Sequence, residues 1–197
     1  MRYINASSDR DFEYAHVPVM GKEVLCYIEG ALGTGNNIFV DCTLGEGGHT
    51  ELVLKNFEDI KVVAYERDAD ILKRAKNRLE EFEERIEYIN DNFSNISTYF
   101  DKGDPNASVF LYDFGISSYH FERSGKGFAI NKDELLDMSL DSKNRFNAYD
   151  IVNYFSEKEL RDIIWNLGEE RWAKRITEFI CNSRKKKGLK QQKSLLN

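Results

Sequence analysis

Cysteine is scarce in this sequence and long apolar runs are absent, and each shortage excludes a class of protein. Cys26, Cys42 and Cys181 are its three cysteines. They form no C-x-x-C pair and their number is odd, which fits a reducing cytoplasm and buried thiols rather than a disulfide framework. No stretch approaches the roughly 18–20 apolar residues needed to span a bilayer, so no membrane partner is expected. The first fourteen residues are polar and acidic, which is not the pattern of a secretory signal. There is no internal repeat, no low-complexity linker, no cluster with metal-ligand spacing and no Ser-His-Asp or Cys-His arrangement. Metal-dependent hydrolysis and nucleophilic catalysis therefore find no support.

What is present is a chain of 197 residues, 41% hydrophobic and 31% charged, the balance of an ordinary globular protein of one domain to one and a half. The net charge of −6 argues on its own against a nucleic-acid partner. Its distribution does not: residues 1–100 carry 11 basic and 19 acidic side chains, residues 101–197 carry 17 and 15, so any polyanion favours the second half.

The most informative stretch runs from Val40 to Thr50, Val-Asp-Cys-Thr-Leu-Gly-Glu-Gly-Gly-His-Thr. Apolar residues at 38–40 and Cys42 lead into a glycine-rich turn, and a helical pattern follows from Glu51 to Phe57. Strand, glycine turn and helix together present backbone N–H groups and a helix N-terminus to an adenosine-containing cofactor. Gly45 and Gly47 permit positive φ and a close backbone approach. Thr50 stands where the third glycine of a dinucleotide fingerprint belongs. Lys61–Glu66 reads as a second buried strand ending in an acid, and Glu66 lies 21 residues after Gly45, the offset at which a carboxylate reaches ribose hydroxyls. NAD and S-adenosylmethionine both carry that ribose, so these residues indicate an adenosine cofactor without choosing between them.

The rest of the chain extends the alternation. Val24, Leu25, Ile28, Ala31 and Leu32 have helical spacing. Asp68 to Phe82 forms an amphipathic helix with Ile71, Leu72, Ala75, Leu79 and Phe82 on one face. Residues 85–89 form a third strand whose alternation suits a sheet edge, and 108–113 a fourth that ends in Asp113. Strands alternating with helices predict a parallel α/β sheet with right-handed crossovers. Beyond Asp113 the pattern changes to a loop-like stretch, 115–141, and then to a helical one, from Ala148 to about Ser183.

Taken in order, several motifs resemble one family, the bacterial small-subunit rRNA cytosine-N4 methyltransferases, also called RsmH or MraW. They are His16-Val17-Pro18-Val19, Asp41 to His49, Glu66-Arg67-Asp68, Asp91-Asn92-Phe93, Asp113 to Ser118, Gly125-Lys126-Gly127-Phe128, Leu136 to Asp141 and Gly168-Glu169-Glu170-Arg171. The resemblance implies an α/β, Rossmann-like S-adenosylmethionine-dependent methyltransferase core, here its N-terminal part with about four parallel strands over residues 1–120. A loop and part of a helical insert domain follow over 121–197. It implies methyl transfer to N4 of a cytidine in 16S ribosomal RNA, with that RNA or the ribosomal subunit as partner. Cofactor contacts map onto Gly47, Gly48, His49, Glu66, Phe93, Asp113 and His120. The chain departs from the family at Tyr119-His120, where Pro-Gln is usual, and at Glu66, where Asp is usual. Family members continue well past Lys193, through the end of the insert and the remaining strands.

Asp113, at the end of the fourth strand, is the candidate catalytic residue. An acceptor there can bind the N–H protons of the cytosine amine and localise its lone pair, with in-line positioning supplying much of the remainder. Contacting the cofactor and capping a loop are the other roles open to it. His49 either meets the cofactor carboxylate or donates to a backbone carbonyl near the helix start. Phe93 packs near the adenine or in the core, His120 is expected to be exposed, and Ser117 and Ser118 line the site or cap a turn. Arg184 to Lys187, with Lys190 and Lys193, either meet rRNA phosphates or form a solvated helix end. Two other functions compete with methyl transfer. One is a non-catalytic remnant that binds cofactor or forms a homodimer through an open fourth strand, the other an NAD-dependent oxidoreductase.

Overall fold

The computed structural model describes residues 18–33, 37–100, 107–141 and 146–191. The tail at 1–14, His16-Val17 and Lys193 lie outside the described residues. The chain divides into two compact units, 1–117 and 118–197.

In the first unit, α1 (Gly21–Ala31), β1 (Ile38–Asp41), α2 (Gly48–Asn56), β2 (Lys61–Tyr65), α3 (Ala69–Arg78), β3 (Ile86–Ile89), α4 (Ile96–Phe100) and β4 (Val109–Leu111) follow in order. The four strands form one parallel sheet in the order β3-β2-β1-β4. This is a Rossmann-like α/β arrangement. The chain builds outward from β1 through β2 to β3, then returns to the other side of β1, which puts the change of direction at the carboxyl end of β1. Ligands of open parallel sheets bind at such a point.

Alternation along the strands divides the core in two. Phe39, Val62 and Ala64 face α1, α2 and α3 and pack with Leu25, Ile28, Val53, Leu54, Leu72, Ala75 and Leu79. Ile38, Val40, Cys42, Val63 and Tyr65 face the other way, toward Phe93, Ile96, Tyr99 and Phe100. Burial on both faces explains the near-continuous apolar character of β1 and β2. β3, which alternates, is an edge strand.

Three local readings change in the structure. The helix expected to reach Phe82 is α-helical only to Arg78 and continues as a 3-10 turn over Glu80–Arg85. There the Arg85 guanidinium donates to the carbonyls of Leu54, Phe57 and Glu58, which ties the chain back to the end of α2 before β3 begins. The fourth strand is shorter than 108–113 because its partner β1 ends at Asp41. Of the three thiols, Cys42 and Cys181 are buried, but Cys26 is exposed, on the face of α1 turned away from Leu25 and Ile28.

In the second unit, α5 (Ser118–Glu122) precedes a long loop, followed by α6 (Ala148–Tyr154), α7 (Glu157–Asn166) and α8 (Ala173–Lys186). The helical stretch expected from 148 to about 183 comprises three helices. Two capping boxes show why: Asn147 with Asp150 starts α6, and Ser156 with Glu159 starts α7. Both were legible as N-x-x-D and S-x-x-E. Asn153 closes the unit by donating to the Leu189 carbonyl and accepting from the Leu189 N–H, each at 2.9 Å.

Candidate functional site

The site of the first unit is built on the glycine turn between β1 and α2. Gly45 and Gly47 have φ of +54° and +84°, in the left-handed region. Gly47 also sits where a Cβ would lie 2.8 Å from the Leu79 side chain, so α3 packs directly on the turn. Gly48 is the first residue of α2, whose N-terminus has no side-chain cap. Its leading N–H groups are therefore left to other acceptors.

Glu66 braces this turn. One carboxylate oxygen accepts from the Gly45 N–H at 2.9 Å and the other from the Asp68 N–H at 2.8 Å. Burial pushes its carboxyl above the ordinary carboxylate range, against the opposing pull of those two donors. Asp68 in turn caps α3, accepting from the N–H groups of Asp70 and Ile71. The acid at the end of β2 thus fixes the glycine turn and the start of α3 together.

Beneath the turn lies a polar cluster that sequence reasoning missed. Asp41, 1% exposed, accepts from the Thr50 hydroxyl at 2.7 Å and from the Thr43 N–H at 3.2 Å. Burial raises its carboxyl above the ordinary value of 3.8; the Thr50 and Thr43 hydrogen bonds and His49 oppose this, while Asp113 adds to it. The Thr43 hydroxyl accepts from the Asp113 N–H at 2.7 Å, bridging the ends of β1 and β4. The signal was present as Asp41-x-Thr43 and as Thr50 in place of a third glycine.

The structure brings His49 and Asp113 together. His49 is buried; its Nε2 lies 2.9 Å from the Val19 carbonyl and its Nδ1 3.8 Å from Asp113 Oδ2. The carbonyl is one from the segment before α1, not from the start of α2. Asp113 itself is partly exposed, beyond the end of β4. Phe93 lies beside it in an aromatic group, edge-on to Tyr112 at 5.5 Å and tilted against Phe114 at 6.1 Å. Ser117 donates to Glu46 in the glycine turn at 3.2 Å, and Arg74 of α3 donates to the same carboxylate at 2.8 Å. Gly47, Gly48, His49, Glu66, Phe93 and Asp113 therefore all lie at the carboxyl edge of one sheet.

His120 belongs to the second unit. It is buried rather than exposed, because α5 turns it against Phe128, with ring centroids 5.2 Å apart. Ser118 opens that same helix. No group of residues suited to a metal ion is found among the described residues. None of the helices among them is long and apolar enough to cross a membrane.

Comparison with known proteins gives consistent relatives. The ribosomal RNA small subunit methyltransferase H of Finegoldia magna is 40% identical over 176 residues, which is 89% of this chain and 55% of that protein. The proteins of the same name from Borrelia turicatae and Thermosipho africanus are 38% and 40% identical, over 91% and 89% of this chain and 61% and 59% of their own lengths. The chain thus spans between about half and two thirds of the relatives it matches. The profile of the MraW methylase family matches residues 13–197, and the chain belongs to that family.

Proposed function

We propose that this chain binds S-adenosylmethionine at the carboxyl edge of its sheet. In this reading it is the cofactor-binding part of an enzyme that methylates N4 of a cytidine in small-subunit (16S) ribosomal RNA. The observation that carries the reading is the bracing of the glycine turn by Glu66 in a chain of this family.

The residues present fit the cofactor. A carboxylate has about four acceptor directions, and the two used by Gly45 and Asp68 leave others for the ribose hydroxyls. The uncapped N-terminus of α2 suits the carboxylate of the methionine moiety. Phe93 offers an aromatic face to the adenine. Asp113, partly exposed beyond the end of β4, favours a cationic sulfonium over the pyrophosphate of NAD. When bound, the cofactor supplies an electrophilic methyl group on that sulfonium.

Asp113 accepts a hydrogen bond from the exocyclic amine and turns its lone pair out of conjugation with the ring. With the methyl group supplied by the bound cofactor, Asp113 would take up the proton that the amine loses and pass it to solvent. Thr43, through the Asp113 N–H, and His49, beside its carboxylate, hold that residue in place.

Calorimetric titration of the chain with S-adenosylmethionine tests the reading, with NAD and Glu66→Ala as controls. Binding that weakens at least about tenfold in the variant is expected, because the ribose loses a charge-assisted hydrogen bond and the Gly45 N–H loses its brace. NAD binding alone, or no binding by a folded chain, refutes it. Transfer to N4 of a cytidine in small-subunit RNA is the second measurement.

A second reading, a homodimer that binds cofactor without turnover, is favoured by the sheet edge. β4 pairs only with β1 among the described strands, and Phe110 and Tyr112 are exposed beside it. A monomer in sedimentation at micromolar concentration sinks that reading.

A further inference from the structure

His49 is buried in the glycine-turn unit, and its two ring nitrogens have different neighbours. Nε2 lies 2.9 Å from the Val19 carbonyl. A carbonyl oxygen only accepts, so Nε2 carries the proton, and in the neutral ring Nδ1 keeps its lone pair. Asp113 Oδ2 is 3.8 Å from Nδ1, too far for a hydrogen bond. Two acceptors thus meet across a gap, and a proton on Nδ1 converts the same arrangement into an ion pair. The Val19 carbonyl is firmly placed. Met20, next in the chain, has a φ of +53°, a strained value for a residue other than glycine. A Cβ at Gly21 would lie 2.7 Å from the Leu52 side chain, so the start of α1 packs closely on α2. Among the described residues, the charged groups that act on His49 are Asp113 and Asp41, at the end of β1. The segment before α1 offers it only the uncharged carbonyl. Glu51 of α2 pairs with Lys55 and Arg78, and Glu46 of the turn with Arg74.

We propose that His49 is the proton store of this site: the proton that Asp113 takes from the amine is held on His49 Nδ1 before it reaches solvent. The inference rests on the cofactor reading above and assigns the step that follows methyl transfer. His49 acts through Asp113, as a positioning residue. One proton leaves the amine for each methyl group gained, and the electron pair of that N–H bond stays on nitrogen. Passage of the proton to His49 breaks its bond to the Asp113 oxygen and forms Nδ1–H, which restores the carboxylate. Charge balances as well. S-adenosylmethionine carries a sulfonium, whereas its demethylated product, S-adenosylhomocysteine, carries a neutral thioether. An imidazolium is repelled by the first and not by the second. Asp113 then has a cationic neighbour in both states, the sulfonium before transfer and His49 after it.

Binding equilibria of the full chain test this without turnover. Displacement of S-adenosylmethionine by S-adenosylhomocysteine, followed calorimetrically in buffers of different ionisation enthalpy, counts the protons taken up. A tenfold coupling between sulfonium and imidazolium predicts uptake of about half a proton at the midpoint of the titration. His49 is more readily protonated with the product bound, so lower pH favours the product. The preference for S-adenosylmethionine over S-adenosylhomocysteine should therefore fall about tenfold between about pH 8 and about pH 5. Nitrogen-15 spectra of the imidazole rings supply a second readout. They should show His49 protonated on Nε2 alone at high pH, and a proton added to Nδ1 when the product is bound. The chain has three histidines. His49→Gln, whose amide can still donate to the Val19 carbonyl, identifies the His49 signals and should abolish the uptake. Asp113→Asn, at a partly exposed position, should keep His49 neutral to lower pH in the free chain.

A neutral His49 with its proton on Nδ1, or the same pH dependence for the two ligands, overturns the proposal. So does proton uptake with no change in the His49 spectrum, because Asp113 alone would then hold the proton. An unaltered His49 titration in Asp113→Asn overturns it too. Circular dichroism confirms that each variant folds. Binding of both ligands without proton uptake sinks this proposal and leaves the cofactor reading standing. Failure of both ligands to bind the folded chain refutes the cofactor reading, and this proposal falls with it.

Discussion

Thr50→Val should destabilise the fold by an amount that depends on pH, and the dependence follows from Asp41. Thr50 is fully buried and donates to a carboxylate that is itself 1% exposed, at 2.7 Å. Valine keeps the shape and removes the donor, so Asp41 keeps only the Thr43 N–H on its other oxygen. Burial already raises Asp41 above its ordinary value of 3.8 in the folded protein. Between that unfolded value and the higher folded one, the native state binds more protons than the unfolded state, so stability falls as pH rises through this window. The Thr50 hydrogen bond opposes the rise. Removing it moves the folded value further up and extends the loss to higher pH.

The cost has two levels. At about pH 4 the carboxyl is more protonated in the native state than in the unfolded chain, and loss of a hydrogen bond to the neutral form costs about 1 kcal/mol. At about pH 8 ionisation is more complete, and loss of a hydrogen bond to the ionised form costs more, about 2–3 kcal/mol. Urea unfolding of wild type and variant at both pH values, followed by circular dichroism, measures this. An equal loss at the two pH values, or a loss under about 0.5 kcal/mol throughout, would refute the claim that Thr50 holds a buried ionised carboxylate.

Two further outcomes test the same region. Gly47→Ala combines a φ of +84° with a Cβ 2.8 Å from Leu79; a loss of about 2–4 kcal/mol by the same assay and weakened cofactor binding are expected, with near-normal stability counting against the close packing of α3 on the turn. Asp68→Ala removes the acceptor for the Asp70 and Ile71 N–H groups at the start of α3; about 1 kcal/mol should be lost, and more than 3 would mean that Asp68 does more than cap.

Sequence alone determined the elements whose information is local. β1 and β2 were legible because strands buried on both faces are apolar throughout, and the glycine turn because positive φ selects glycine. The acid that ends β2 and the order of the family's motifs were likewise visible along the chain. Tertiary structure decided what depends on residues far apart in the chain. That Glu66 braces the Gly45 N–H, that Thr43 holds the Asp113 N–H across 70 residues, and that His49 bonds to the Val19 carbonyl are contacts between chain segments no local pattern specifies. His120 was misjudged for the same reason: a lone histidine in a polar stretch looks solvated until α5 packs it against Phe128. The basic run near the end was visible as composition, but only the burial of Ala173, Thr177 and Cys181 showed which face of α8 remains exposed. Periodicity specifies which residues share a face, and packing decides whether that face meets protein or solvent.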